Sequence, residues 1–283
     1  MAELLDPTTL RHYAQQLGLR PTKTLGQNFV VDANTVRRIV SLAEVGPEDV
    51  VLEIGPGLGS LTLGLLETGA SVTAIEIDRR LADILPGTVA THQPGREAML
   101  RVLSADAMAI GELPAPAPTR LVANLPYNVS VPVLLHMLAR FPSWQAGLVM
   151  VQLEVADRLV APPGSKVYGV PSAKLAWYAD AERISTVPAS VFWPVPKVAS
   201  GLVRLTRHQP PSTSASREEV FRVIDAAFGQ RRKMLRSALA GIAGGSAAAS
   251  KAIAEAGLEP TARGETVDIA GFAAIAERLA AVN

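Results

Sequence analysis

Between residues 50 and about 155, short β-type runs alternate with helical segments, and this alternation limits the fold more than any other feature of the chain. The helical segments include 60–68 and 131–140, the second with Ser130 as a possible N-cap. The β-type runs are Val50–Ile54, Ser71–Ile75, Leu100–Ser104, Arg120–Ala123 and Gly147–Leu153. Such alternation predicts a mostly parallel sheet covered by helices on both faces. We therefore expect an α/β, doubly wound fold.

The C-terminal part of the chain has a different pattern. Two β-rich pieces, 182–187 and 200–206, are followed by a polar, proline-containing stretch and then by helical periodicity alone. Ser216 and Glu219 fit a capping box that opens a helix, and residues 245–257 and 268–281 predict two more helices. We divide the chain into a domain of residues 1–207, a linker of residues 208–216 and a small all-helical domain of residues 217–283.

Composition excludes several classes of protein. The chain has 283 residues and no cysteine, so disulfides, cysteinyl zinc sites and iron–sulfur clusters are ruled out. The four histidines are too scattered to suggest a metal site: His12, His92, His136 and His208. The acidic N-terminus does not resemble a secretory signal, and the longest uncharged stretch contains asparagines and prolines that a lipid-facing helix would not carry. We expect a cytoplasmic protein with no membrane segment and no metal.

A glycine-rich loop follows the first predicted strand. Gly55, Gly57 and Gly59 alternate after Glu53, and Glu76 ends the second strand, where a carboxylate can hold two ribose hydroxyls. This spacing differs from the dinucleotide fingerprint and lacks a phosphate-binding lysine. It resembles the first motif of S-adenosylmethionine-dependent methyltransferases. A flavin or nicotinamide site and a purely structural turn are the alternatives at this point.

Two further segments end at the same edge of the predicted sheet. Asp106 follows the third strand and could accept a hydrogen bond from an adenine amino group, although a solvated turn aspartate is the alternative. The fourth strand ends in Asn124-Leu-Pro-Tyr127, whose amide oxygen and Leu125 carbonyl could accept both N–H bonds of an exocyclic amino group. The ring of Tyr127 could stack on the base and contribute a cation–π interaction of roughly 0.5–2 kcal/mol.

The Asn-Leu-Pro-Tyr segment resembles the amino-group methyltransferases, in the variant typical of ribosomal RNA adenine dimethyltransferases. Three other segments resemble the small-subunit branch of that family: Leu25-Gly-Gln-Asn-Phe29, Val191-Phe-Trp-Pro-Val-Pro-Lys-Val198 and Ala227-Phe-Gly-Gln-Arg-Arg-Lys-Met-Leu235. The resemblance implies a Rossmann-like class I methyltransferase fold. It also implies S-adenosylmethionine-dependent N6,N6-dimethylation of two adjacent adenosines in a hairpin loop near the 3′ end of small-subunit (16S) rRNA, within an assembling subunit.

The resemblance also assigns roles to individual residues. It implies that Asn124, Leu125 and Tyr127 act on the target adenine, with Phe192 as the second wall of a clamp around the base, although Tyr127 and Phe192 could each be core aromatics instead. The donor pocket that it implies consists of Asn28, Val30, Glu53, Gly55, Gly57, Glu76, Asp106 and Asn124. We expect these residues and the Asn124–Tyr127 segment to face one crevice.

A cluster of four cations opens the C-terminal helical region. Arg231, Arg232, Lys233 and Arg236 lie within six residues without an acid between them, so we expect them to contact rRNA phosphates, although a solvated helix face is the alternative. Residues 1–180 carry a net charge of −3 and residues 181–283 a net charge of +4.

Two competing functions remain at this point. A large-subunit rRNA methyltransferase would share the catalytic motif, and a binding or assembly factor could retain the fold without the chemistry. Nothing in the sequence requires more than a monomer.

Overall fold

The structure is a computed structural model, and it describes residues 3–19 and 28–281. It contains two compact units, of which the first consists of Met1–Ala156 and Glu182–Thr206 and the second of Asp157–Ala181 and Arg207–Asn283. The division drawn from the sequence differs, because it grouped residues 157–181 with the N-terminal part. That segment is bound to the C-terminal helices through side chains: Nζ of Lys174 donates to Asp225 at 2.8 Å, and Nη1 of Arg217 donates to the Tyr178 hydroxyl at 3.1 Å.

The helices and strands alternate through the first part of the chain. In chain order they are α1 (Pro7–Gln16), β1 (Phe29–Val30), α2 (Ala33–Leu42), β2 (Val50–Ile54), α3 (Ser60–Glu67), β3 (Ser71–Glu76), α4 (Arg79–His92), β4 (Leu100–Ser104), β5 (Arg120–Asn124), α5 (Ser130–Arg140) and β6 (Ala146–Gln152).

The later elements include the C-terminal helices. They are α6 (Leu153–Leu159), α7 (Val170–Leu175), β7 (Ala179–Val187), β8 (Phe192–Trp193), β9 (Ser200–Arg207), α8 (Arg217–Gly229), α9 (Leu235–Ala238), α10 (Ala240–Ala243), α11 (Ser246–Glu255) and α12 (Ile269–Ala280). None of the helices within residues 3–19 and 28–281 combines the length and the apolarity needed to cross a bilayer.

Seven strands form the main sheet in the order β4-β3-β2-β5-β6-β9-β7. Strands β2 to β6 run parallel to one another, and β9 runs antiparallel to β6. The central strands are buried on both faces, as their continuous apolar runs indicate. The predicted α/β class, the mostly parallel sheet and the helical C-terminal region are confirmed.

The register of the parallel strands brings their carboxyl ends to one edge. Glu76 at the end of β3 pairs with Ser104 of β4, and Asn124 at the end of β5 pairs with Met150 of β6. Ligands of open α/β sheets bind at this edge. The polar residues singled out in the sequence therefore lie where a ligand would bind.

A second, two-stranded sheet fixes the segment that precedes α2. Phe29 pairs with Trp193 and Val30 with Phe192 in antiparallel register, and Val31 donates its N–H to the Val191 carbonyl at 2.8 Å. The rings of Phe29 and Trp193 stack with their centroids 6.3 Å apart. Most of the Leu25–Phe29 motif lies outside the described residues, apart from Asn28 and Phe29.

Two helix starts test the capping predictions. The capping box of α8 is confirmed: Oγ of Ser216 accepts the Glu219 N–H at 3.3 Å, and Oε2 of Glu219 accepts the Ser216 N–H at 2.7 Å. The N-cap assignment of Ser130 is wrong, because Ser130 is already helical and Val129 precedes it as the cap without a side-chain hydrogen bond.

Candidate active site

A cavity opens at the carboxyl edge of the main sheet. It encloses about 900 Å³ when its solvent-open mouth is counted, which is within the range of small-molecule sites. All eight residues that the sequence placed in a donor pocket line it: Asn28, Val30, Glu53, Gly55, Gly57, Glu76, Asp106 and Asn124. The fold therefore gathers into one cavity residues that are widely separated along the chain.

The loop between β2 and α3 requires glycine for two reasons. Gly57 has a φ of +60°, in the left-handed region that side chains other than glycine rarely adopt. A Cβ atom built there would also lie 2.7 Å from Cε1 of Phe29. The loop therefore packs closely against the strand that carries Val30, which forms part of the same cavity wall.

Glu76 is held by the backbone at both carboxylate oxygens. Its Oε2 accepts the Gly57 N–H at 3.1 Å and its Oε1 accepts the Asp78 N–H at 3.0 Å. Burial raises the pKa of Glu76, and these two hydrogen bonds oppose that rise. The carboxylate is therefore fixed in position before any ligand binds.

Glu53 is a second buried carboxyl group in the cavity wall. Only 1% of the residue is exposed, and Oγ1 of Thr62 donates to its Oε2 at 2.7 Å. Burial raises the pKa of Glu53 to about 8, and the negative charge of Glu76 contributes to the rise. Glu53 is therefore mainly protonated at neutral pH.

The amide of Asn124 has one satisfied end and one unsatisfied end. Its Nδ2 donates to the Asn28 carbonyl at 2.9 Å. Because a carbonyl oxygen accepts only from a donor, this contact fixes which end of the amide is nitrogen. Within the described residues, Oδ1 of Asn124 is buried and has no hydrogen-bond partner. A buried acceptor without a partner is costly in the free protein and is ready to accept from a ligand donor.

The rest of the Asn-Leu-Pro-Tyr segment is only partly at the cavity. Asn124 and Pro126 line it together with Gly55 and Glu76, as expected. The side chain of Leu125 is buried, and its backbone N–H donates to Met150 at 3.0 Å.

Tyr127 is not among the lining residues. Its ring is half-buried and its hydroxyl lies 2.6 Å from Oγ of Ser200, a residue with no exposed surface. Burial raises the pKa of the Tyr127 phenol, and the contact with Ser200 opposes the rise. The phenol therefore stays neutral, and its orientation is set by the start of β9.

The structure does not place Phe192 at the cavity. Phe192 is 1% exposed and belongs to the hydrophobic core, where its strand pairs with Val30. Phe192 therefore does not form a second wall around a base in this conformation, and that role stays a prediction. Its position instead supports the strand that lines the cavity.

Asp106 is both a solvent-exposed turn residue and part of the cavity wall. It is exposed in the turn after β4, where its Oδ1 accepts the Met108 N–H at 2.8 Å. The same residue lines the cavity.

Several apolar residues also line the cavity without having been expected from the sequence. Ile77, which is 57% exposed, directly follows Glu76, so its place beside a motif residue was the available signal. Val129 and Val133 lie at the start of α5 and also line the cavity.

The four predicted RNA-contacting cations of the second unit differ in their surroundings. Nε of Arg231 donates to the Glu265 carboxylate at 2.9 Å, whereas Arg232 and Lys233 are exposed. Nη2 of Arg236 lies 3.6 Å from the sulfur of Met234. The cluster is therefore not a uniform solvated face.

The family is decided by a comparison that covers nearly the whole chain. The sequence profile described as "Ribosomal RNA adenine dimethylase" matches residues 19–281. The chain belongs to this family. The resemblance inferred from the motifs is thereby confirmed.

Relatives of this ribosomal RNA adenine dimethylase are similar over their full length. A protein of Cutibacterium acnes is 65% identical over 98% of this chain and 95% of its own, and one of Thermobifida fusca is 62% identical over 98% and 96%. Both carry the name "Ribosomal RNA small subunit methyltransferase A".

Solved structures share the fold of this adenine dimethylase. A dimethyladenosine transferase from Plasmodium falciparum has a TM-score of 0.71 at 22% identity, over 86% of this chain and 94% of its own. The 23S rRNA methyltransferase ErmE has a TM-score of 0.63 at 26% identity, over 89% and 99%. The Rossmann-like methyltransferase fold is therefore confirmed.

Proposed function

We propose that the protein transfers methyl groups from S-adenosylmethionine to N6 of two adjacent adenosines in a hairpin loop near the 3′ end of 16S rRNA, forming N6,N6-dimethyladenosine. The observation that carries this proposal concerns Asn124, which lines the same cavity as Glu76: its buried Oδ1 has no hydrogen-bond partner among the described residues. The names of the relatives, at 62–65% identity, favour the small-subunit target.

The residues of the cavity fit the methyl donor. Glu76, held by two backbone N–H groups, can accept from the two ribose hydroxyls, and Asp106 can accept from the adenine amino group. Asn28, Val30, Gly55, Gly57 and Glu53 would complete the pocket. When bound, S-adenosylmethionine supplies an electrophilic methyl group.

The acceptor side of the proposal concerns the target nitrogen. An exocyclic amino group is a weak nucleophile because its lone pair is delocalised into the purine ring. Oδ1 of Asn124 and the Leu125 carbonyl would accept its two N–H bonds and favour a pyramidal nitrogen whose lone pair faces the donor. The proton released after methylation passes to solvent, so no strong general base is needed.

Tyr127 would provide one face of the clamp around the base. Its half-buried ring is anchored at the hydroxyl by Ser200, which favours a fixed orientation for stacking. The target adenosine has to be unstacked to reach the cavity, and a hairpin loop lowers the cost of this step.

The direct test is methyl transfer to undermethylated small ribosomal subunits. Subunits are incubated with the protein and labelled methyl donor, then digested with nuclease, and the modified nucleoside is identified. We expect N6,N6-dimethyladenosine from the 3′-terminal hairpin. Label in another nucleoside, or in large-subunit rRNA alone, would contradict the proposal.

The similarity to ErmE makes 23S rRNA the second candidate substrate. Primer extension on both rRNAs of a deletion strain separates the two, because only the true target loses its block to reverse transcriptase. An assembly factor without chemistry would bind no methyl donor in calorimetry. We further propose that the protein acts in the cytoplasm, as a monomer, on the assembling subunit. Light scattering of the free protein tests the monomeric state.

A further inference from the structure

One arginine joins two loops of the second unit. Nε of Arg231 donates to the Glu265 carboxylate at 2.9 Å, and Nη2 of the same side chain donates to the Lys166 carbonyl at 2.7 Å. The backbone carbonyl of Glu265 accepts the Gly164 N–H at 2.7 Å. Arg231 therefore connects residues 164–167 with residues 230–234, and we call these two segments together the two-loop surface.

The two-loop surface carries three exposed cations. Lys166 lies on the first loop, and Arg232 and Lys233 lie on the second. Within residues 3–19 and 28–281, none of the three side chains forms an ion pair, and the carboxylate of Glu265 is already paired with Arg231. The surface therefore presents positive charge that no acidic side chain of the described residues neutralises.

Apolar groups accompany these cations. Val167 and Met234, which directly follow Lys166 and Lys233 in the chain, are 46% and 44% exposed. Nucleic acid offers charged phosphates beside apolar sugar and base surfaces, and it gains affinity from each cation that displaces a counterion. Loops that are connected before binding lose less conformational entropy on binding. RNA is therefore the ligand that this combination fits best.

We propose that Lys166 is a further phosphate-contacting residue, which acts with Arg232 and Lys233 on one rRNA-binding surface. Arg231 is a positioning residue that holds the two loops together through Glu265 and the Lys166 carbonyl. This inference rests on the proposed function and deepens it, because it names a second loop that contacts the rRNA and separates the contacting cations from the one that orders them.

The test compares Lys166→Gln, Lys233→Gln and Arg278→Gln in the full-length protein. Arg278 is an exposed cation on α12, outside the two-loop surface, and serves as the control. Affinity for undermethylated small subunits is measured between about 50 and 200 mM salt. We expect Lys166→Gln and Lys233→Gln each to weaken binding roughly three- to ten-fold and to reduce the slope of log affinity against log salt by about 1, while Arg278→Gln changes neither.

Arg231→Gln tests the positioning role. We expect it to weaken binding and to make an added Lys166→Gln substitution nearly silent, because the separated loops no longer present their charges together. Thermal unfolding of every variant is followed in parallel. Lys166→Gln alters an exposed side chain, so it remains informative even if Arg231→Gln fails to fold.

Three outcomes are distinguishable. Wild-type affinity and salt slope in Lys166→Gln, beside weakened Lys233→Gln, would overturn the role of Lys166. Additive effects of Lys166→Gln and Arg231→Gln would overturn the positioning role. Wild-type protein that neither binds nor methylates the subunits would contradict the proposed function itself.

Discussion

Replacing Asn124 by alanine should separate catalysis from donor binding. The two ends of the amide differ: Nδ2 donates to the Asn28 carbonyl at 2.9 Å, whereas Oδ1 has no partner within the described residues and is the acceptor that we propose for the target amino group. A single neutral hydrogen bond contributes about 1 kcal/mol, which corresponds to roughly five-fold in donor affinity. A preorganised group that acts at the reacting centre is worth about 2.7–4 kcal/mol, or roughly 10²–10³-fold in kcat.

The assay measures both quantities on the same preparation. Donor affinity is obtained by calorimetry, and kcat by transfer of labelled methyl groups to undermethylated small subunits. Asn128→Ala is the matched control, because Asn128 is an exposed asparagine of the same loop that does not line the cavity. A kcat within about ten-fold of wild type in Asn124→Ala, or a donor affinity that falls as much as kcat, would refute the reasoning.

Three further predictions follow from the buried groups and the helix cap. In the unfolded chain Glu53 loses its proton near its ordinary pKa of 4.5, whereas in the folded protein it keeps the proton up to a pKa of about 8. The free energy of unfolding therefore falls as pH rises through that window. Glu53→Gln should therefore gain thermal stability over wild type progressively across it, and a constant difference would argue against a raised pKa. In Gly57→Ala the added Cβ would lie only 2.7 Å from the Phe29 ring, so the ring has to move and donor binding measured by calorimetry should weaken. Unchanged donor affinity would contradict the close packing. Ser216→Ala should cost about 1 kcal/mol in urea unfolding through loss of the α8 cap, with kcat retained, whereas an unchanged midpoint would show that the cap contributes nothing.

The central strands could be located from the sequence to within about one residue. Strands β2, β5 and β6 are buried on both faces, so most of their residues are apolar; the glycine-rich loop ends β2, and the polar residues Asn124 and Gln152 end β5 and β6. Helix α4 was not located, because Pro86 and Gly87 interrupt its helical pattern. The helix persists since Leu81, Leu85 and Val89 form a buried stripe at intervals of four residues.

The cavity could be predicted where residues follow strand ends, because parallel strands bring those ends together. Contacts between residues far apart in the sequence could not be predicted. The bond between Asn124 and Asn28 spans 96 residues, and the pair of Arg231 with Glu265 spans 34. The sequence also shows that Phe192 is aromatic without showing what it packs against, and the pairing of its strand with Val30 decided that question.

The two-stranded sheet has a consequence for the order in which the protein becomes competent during synthesis. Phe29 and its partner Trp193 are separated by more than 160 positions. A nascent chain therefore has most of its length outside the exit tunnel before the wall that carries Asn28 and Val30 can close. On the proposed function, newly made protein would bind the methyl donor only late in translation, after the central strands have already emerged.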